Sequence, residues 1–272
     1  MHPVSEGFLL DRILEPGSLS VRWQPVLELR RGRVEPHYFE ALIRGPQGTS
    51  AESPAILFEY ARKKSQESRV DRACVEAILA EAQTLPGDWT LGINVHASTL
   101  AMDDGFVAFL AAGLEARSIS AALAVVEVVE HAPPWNVLGF RRAIAGLREL
   151  GARVALDDVG LGHSNYMMML ECRPDYLKMD RHFVDGCHGD SYRRAVLSSV
   201  VQLARAFGAR VVAEGVENVE DLTALRRLGI TLVQGFLLAR PAPAAELVAP
   251  SASRYGVTTK VRRGTAGAPG RR

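Results

Sequence analysis

Cysteine is scarce: three in 272 residues, Cys74, Cys172 and Cys187, with no CxxC pair. An odd, unpatterned set gives no disulfide framework and suits a reducing compartment. The seven histidines show no HxH or HExxH spacing, so zinc has no support. No apolar run approaches the length that spans a bilayer. No basic segment followed by an apolar stretch opens the chain, so neither a membrane anchor nor a signal peptide is expected. A net charge of +1 excludes a global electrostatic footprint for duplex nucleic acid. GxSxG and any Cys/His signature are missing too, which removes the usual marks of covalent acyl chemistry. What is there is 47% hydrophobic, enough for a substantial core, and the expectation is a soluble, cytoplasmic, globular protein.

One unit recurs. An amphipathic helix ends in glycine and a short apolar strand follows. FRRAIAGLREL (140–150) places Phe140, Ile144, Leu147 and Leu150 on one face, then Gly151 stops it and ARVAL follows. RRAVLSSVVQLARAF with Gly208 and ARVVA repeats the device, as does EDLTALRRL with Gly229 and ITLVQ. Strands alternating with helices at this spacing predict a parallel sheet. The apolar strand candidates are 21–27, 37–43, 89–95, 123–129, 152–157, 175–179, 210–214 and 231–236. Eight strands in roughly 250 residues fit an α/β fold of the (β/α)8 TIM-like barrel type better than an open sheet. Residues 1–18 read as a lead-in, 19–247 as a single barrel domain, and 248–272 as a basic, Gly-rich tail expected to be disordered.

Nearly every predicted strand carries a polar residue near its C-terminal end: Glu40, Asn94, Glu127, Asp157, Lys178, Glu214 and Gln234. In such a barrel those ends converge on the face that holds active sites. The stretch VALDDVGLG (154–162) delivers two adjacent acids, Asp157 and Asp158, to the end of a strand. A regular strand sends neighbours to opposite faces, so the pair shares one site only if the backbone bends there; otherwise one acid caps the next helix and the other is solvated. With Asp180 close by, five or six acids fall in one bowl. Two like charges about 4 Å apart repel by roughly 4 kcal/mol at an effective dielectric near 20. A cation must compensate, and all-oxygen donors with a neutral Asn94 suit Mg2+ or Mn2+, as one ion or two. Gly160, Gly162 and Asn165 only approximate a dinucleotide loop, and the acids before it would repel a pyrophosphate.

At these residues the sequence resembles the EAL-domain family, the bacterial cyclic di-GMP phosphodiesterases. FEALIR (39–44) resembles the motif that names the family, and WQP (23–25), INVHAS (93–98), VEVVE (126–130), LDDVGLGHSN (156–165), LKMDRHFV (177–184), VVAEGVEN (211–218) and VQGF (233–236) resemble its other motifs, in order, from about residue 19 to about 247. The resemblance implies a modified barrel with an antiparallel first strand. It implies that Glu40, Asn94, Glu127 and Asp157 hold one metal, and that Asp157 and Asp158, with Asp180 nearby, serve a second. Arg44 takes the substrate-phosphate position, while Gln24 and Gln234 line the site. Lys178 orients the nucleophilic water or stabilises charge, Glu214 is the general base, Glu217 supports it, and Glu130 pins the loop after Asp158. The implied reaction is metal-dependent hydrolysis of cyclic di-GMP to linear pGpG, inhibited by Ca2+, in a protein whose relatives often form homodimers. The alternative is an EAL-type receptor or interaction module that does not cut. A degenerate module usually lacks several acids or the lysine, and this chain keeps all of them.

The chain departs from the family pattern at Val159 (for Phe), Leu161 (for Thr), His163-Ser164-Asn165 (for Tyr-Ser-Ser), Val129 (for Thr) and Gly45 (for Trp). Taken singly, the candidate residues have ordinary explanations: a surface acid at Glu40, a solvated strand end at Lys178, a salt-bridge partner at Arg44, a helix cap at Glu217. Met167, Met168 and Met169 read as packing.

Overall fold

The computed structural model describes residues 6–30, 33–85, 89–129, 136–161 and 165–247. Glu130, Gly162, His163, Ser164 and the tail from 248 lie outside them. Eight strands close a barrel in sequence order: β1 Ser20–Arg30, β2 Arg33–Arg44, β3 Leu91–His96, β4 Ala124–Val129, β5 Arg153–Val159, β6 Tyr176–Met179, β7 Arg210–Ala213 and β8 Leu232–Val233. β1 runs antiparallel to β2 and to β8, and every other neighbouring pair is parallel. This is the modified barrel that the resemblance implied. All eight candidate strands are present, with β8 cut to two residues because the chain turns at Gln234.

The helices are α1 Glu6–Leu14, α2 Pro54–Lys63, α3 Glu67–Ala82, α4 Ala97–Met102, α5 Phe106–Ala116, α6 Val137–Glu149, α7 Asn165–Cys172, α8 Arg181–Val184, α9 Ser191–Phe207 and α10 Val219–Arg227. The three helices read from periodicity are α6, α9 and α10. Their starts are capped by the side chains of Asn136, Asp190 and Asn218. The glycines that end them, Gly151, Gly208 and Gly229, have φ of +88°, +75° and +84°, open chiefly to glycine. Phe140, Ile144 and Leu147 are buried as the helical spacing predicts, and so are Met168 and Met169, whereas Met167 is exposed.

Two apolar layers result. Val26, Tyr38, Val125, Ala155, Tyr176, Val212 and Leu232 fill the barrel, and a larger core packs the helices against the outside of the strands. After β8 the chain returns across β1, where Trp23 and Ala242 exchange backbone hydrogen bonds of 2.7 and 3.0 Å. That crossing brings residue 239 over the mouth of the barrel, beside Gln24.

Candidate active site

Parallel strands in register put their last residues at one level. Asn94 pairs with Glu127 across β3 and β4, and Gln24 faces Glu40 across β1 and β2. Glu214 and Gln234 stand one residue beyond β7 and β8. The result is a bowl of carboxylates around one ammonium. Lys178, 1% exposed, places Nζ 2.5 Å from Glu127 Oε2, 2.8 Å from Glu214 Oε1, 3.1 Å from Asp157 Oδ1 and 3.4 Å from Glu40 Oε1. An amide relay holds Glu40 from the other side. Asn94 Nδ2 donates to its Oε1 at 2.9 Å and Gln234 Nε2 to its Oε2 at 2.7 Å. Gln234 Nε2 also lies 3.2 Å from Gln24 Oε1, and Gln24 Nε2 donates to the Ala239 carbonyl at 3.0 Å.

The adjacent acids do share the site, and the backbone shows how. Pairing between β5 and β6 slips between Leu156 and Val159, and Asp158 takes φ +50°. Asp157 Oδ1 accepts from the Asp158 backbone N–H at 3.0 Å. One carboxylate oxygen each from Glu40, Glu127 and Asp157 lies within 4.8 Å of the others, and so does a second set from Asp157, Asp158 and Glu214. Asp157 belongs to both. The donors are all oxygen, and Glu127 Oε1 is buried with no hydrogen-bond partner among the described residues. That orphaned acceptor and this donor set fit hard divalent cations.

The electrostatics follow from burial. Burial presses the Glu40 carboxyl upward, but Lys178 and the two amides outweigh it and hold it below its usual range. For Glu127 burial wins, and its pKa rises to about 8. Asp158 rises to about 6 through burial and the charges of Asp157 and Asp180. Asp157 is raised by burial against the pull of Lys178, and Glu214 is raised well above its usual value for the same reason. Lys178 is desolvated, yet its carboxylates keep it firmly protonated. A carboxyl whose folded pKa exceeds its unfolded one favours the fold while protonated, and that contribution is lost as pH rises from the unfolded value through the folded one. The metal-free protein is therefore expected to lose melting temperature as pH rises from about 4.5 through about 8, where Glu127 is half ionised. Divalent metal should flatten that slope. A melting series without metal that stays level over this range contradicts the arrangement.

Two cavities flank the acids. One of about 700 Å3 is bounded by Arg44, Phe58 and His96 and meets Glu40, Asn94 and Asp157. The other, about 290 Å3, is bounded by Gln24, Asp180, Glu217 and Phe236 and meets Glu40, Asp157, Lys178 and Glu214. Glu40 and Asp157 thus stand where the two meet. Glu217 pairs with Arg181 at 2.9 Å. Asp180 stands one residue past β6 and caps α8, accepting from the His182 N–H at 2.6 Å, so its oxygens are outside both convergent sets.

Two features escaped sequence reading. Gly92 leaves room for the site, because a Cβ there would overlap Glu127 Oε1 and crowd Tyr38; a glycine inside an apolar strand was the available signal. Asp71, buried on α3, accepts from the His96 N–H at 3.0 Å, sits 2.8 Å from His96 Nδ1 and accepts from Thr99 Oγ1 at 2.6 Å. That knot ties down the end of β3, two residues past Asn94. The only hint was an acid on a helix face otherwise apolar.

The family model for the EAL domain matches residues 9–241. The chain belongs to the EAL domain family. NbdA, a cyclic di-GMP phosphodiesterase of Pseudomonas aeruginosa, is 30% identical over 246 residues, covering 88% of this chain and 31% of NbdA. The chain therefore spans less than a third of that relative's length. Klebsiella pneumoniae BlrP1 has been solved with calcium and cyclic di-GMP and with manganese and cyclic di-GMP. Both structures superpose at a TM-score of 0.72, with 31% and 32% identity, covering 89% and 85% of this chain and 58% and 57% of BlrP1. The PaMucR phosphodiesterase in complex with c-di-GMP superposes at 0.78 with 26% identity, covering 90% of this chain and all of that one.

Against the EAL pattern, the departures now have surroundings. At Gly45 a Cβ would overlap the Ala51 carbonyl, so the segment after the EAL strand is folded too close for the usual tryptophan. Val159 is buried, and Leu161 is 53% exposed, its N–H donating to the Asp158 carbonyl at 3.1 Å.

Proposed function

We propose that this chain is a metal-dependent phosphodiesterase that hydrolyses cyclic di-GMP to linear pGpG. The observation that carries the reading is the bowl itself: two convergent oxygen sets sharing Asp157, beside a fully buried lysine, in an EAL chain. Glu40, Asn94, Glu127 and Asp157 would hold one Mg2+ or Mn2+, and Asp157 and Asp158, with Asp180 at the rim, a second. Bound there, divalent ions polarise the phosphoryl oxygens and acidify a water.

The chain's own groups account for the rest. The cavities on either side of Glu40 and Asp157 suit a ligand with two bases joined by phosphates. Arg44, partly buried on one wall, offers a planar fork to a phosphate, while Gln24 and Gln234 border the other. Glu214, whose Oε1 lies 2.8 Å from Lys178 Nζ, takes the proton of the attacking water, and Lys178, held protonated by its carboxylates, faces the developing negative charge. Glu217, braced by Arg181, keeps the wall beside Glu214 in place. Water oxygen bonds to phosphorus, one bridging P–O bond breaks, the departing sugar oxygen takes up a proton to become a hydroxyl, and the ring opens. On this reading the chain acts in the cytoplasm. Among the described residues no helix is long and apolar enough to cross a membrane. A homodimer belongs to this reading, since α7 leaves Tyr166, Met167 and Leu170 exposed; sedimentation should show a dimer that Leu170→Asp weakens.

The test is incubation of purified protein with cyclic di-GMP and Mg2+ or Mn2+, followed by product chromatography. Linear pGpG is expected, lost in excess chelator and suppressed by Ca2+, whose longer and looser bonds serve two-ion chemistry poorly. Undiminished turnover in chelator removes the metal from the reading. Binding without any product favours the receptor alternative.

A further inference from the structure

We propose that Lys178 is the resident cation of the metal-free bowl: its ammonium holds the carboxylates together until an ion arrives, and ion binding displaces it from Glu127 and Asp157. A lysine is almost never fully buried unless paired, and this one is matched by four acids at 2.5 to 3.4 Å. Three of them, Glu40, Glu127 and Asp157, are the same side chains whose oxygens converge as one ion set, and the fourth, Glu214, belongs to the other.

The ammonium and a divalent ion therefore draw on one set of lone pairs. Mg2+ needs oxygens at about 2.1 Å in near-octahedral array. Glu40 is engaged on both oxygens, since Asn94 and Lys178 approach Oε1 and Gln234 donates to Oε2. Glu127 Oε1 is the buried acceptor left without a partner among the described residues. An ion entering the first set thus competes with Lys178 for oxygens of Glu40, Glu127 and Asp157, while like charges push the ammonium away. The same side chain preserves the bowl without metal and lowers its affinity for metal. The inference rests on the reading of this bowl as a metal site.

Isothermal titration of the chelator-stripped full chain with Mn2+ separates the two ideas. Lys178→Met is expected to bind Mn2+ at least about tenfold more tightly than the wild type, at the low end of what groups bordering metal ligands do to affinity. Stripped of metal, it should melt below the wild type, and Mn2+ should raise its melting temperature more. Should Lys178→Met not fold without metal, Lys178→Met/Glu214→Gln decides. It loses one charge of each sign and keeps the wild-type net charge of the bowl, so it is compared with Glu214→Gln alone. Tighter Mn2+ binding in the double variant supports the inference. Equal or weaker binding overturns it while leaving the metal site standing. If even the wild type takes up no Mn2+, the metal reading falls, and the role of Lys178 with it.

Discussion

Glu40→Ala is expected to abolish turnover of cyclic di-GMP, by on the order of 10³-fold, the scale of losing a group that stabilises transition-state charge. Glu40 is where the two flanking cavities, the amide relay and the ammonium all meet. Truncation removes a carboxylate from the first oxygen set and leaves the Asn94 and Gln234 amides facing a void. Mn2+ affinity should fall together with rate. Lys178 keeps Glu127, Asp157 and Glu214 as partners, so the fold should survive, and a melting curve checks that it does. Glu40→Gln refines the result: its amide preserves the shape and loses the charge, so a rate as low as that of Glu40→Ala assigns the loss to charge. Turnover of Glu40→Ala within about tenfold of wild type, measured by chromatography at saturating Mn2+, is too small a loss for a metal ligand and removes Glu40 from that role.

The barrel was legible because parallel strands buried on both faces are short apolar runs, and the helices between them end at glycines that must adopt positive φ. The polar residues interrupting those runs near their ends marked the mouth of the barrel. The direction of β1 was not legible from periodicity, since a strand reads alike in either sense; only the family resemblance carried it. The relay from Gln24 through Gln234 to Glu40 joins residues 210 and 194 positions apart, and no local pattern announces such a contact. Asp180 differs from the reading only in its local placement. Its spacing from Lys178 suggested one strand face, but β6 stops at Met179 and the aspartate turns to cap α8. The central place of Lys178 was hidden for a physical reason: its role as counter-charge exists only once four distant acids have been folded around it.

That counter-charge bears on the repulsion inside the bowl. Four carboxylates in a desolvated pocket repel, and two responses are visible together. One is the ammonium at the centre. The other is the upward shift that burial gives these carboxyls, to about 8 for Glu127 and in the same direction for Asp157 and Glu214. A divalent ion bound there would compete with protons for the same oxygens, so affinity for Mg2+ is expected to climb with pH.

Asp158→Asn is expected to cost about 10²- to 10³-fold in turnover, as loss of a charge-stabilising group does, with little change in fold. The backbone makes this substitution unusually clean. Asp158 sits at φ +50°, a conformation that asparagine accepts and most residues resist. Asparagine therefore keeps the bend that brings two neighbouring side chains into one bowl, and it removes only the charge. Stability should hold or rise, because the Asp158 carboxylate is pressed by Asp157 and Asp180. Asp158→Ala, by contrast, should lose both charge and stability. Leu161→Thr supplies the scale for a milder change in the same loop. Leu161 is 53% exposed and buries little, and a hydroxyl there restores the family's residue, so the rate is expected to rise modestly. Turnover of wild type, Leu161→Thr, Asp158→Asn and Asp158→Ala at saturating Mg2+, with melting temperatures for each, completes the comparison. Wild-type rate in Asp158→Asn means that the adjacent acids are not a paired metal site, and that Asp158 only supports the bend at the end of β5.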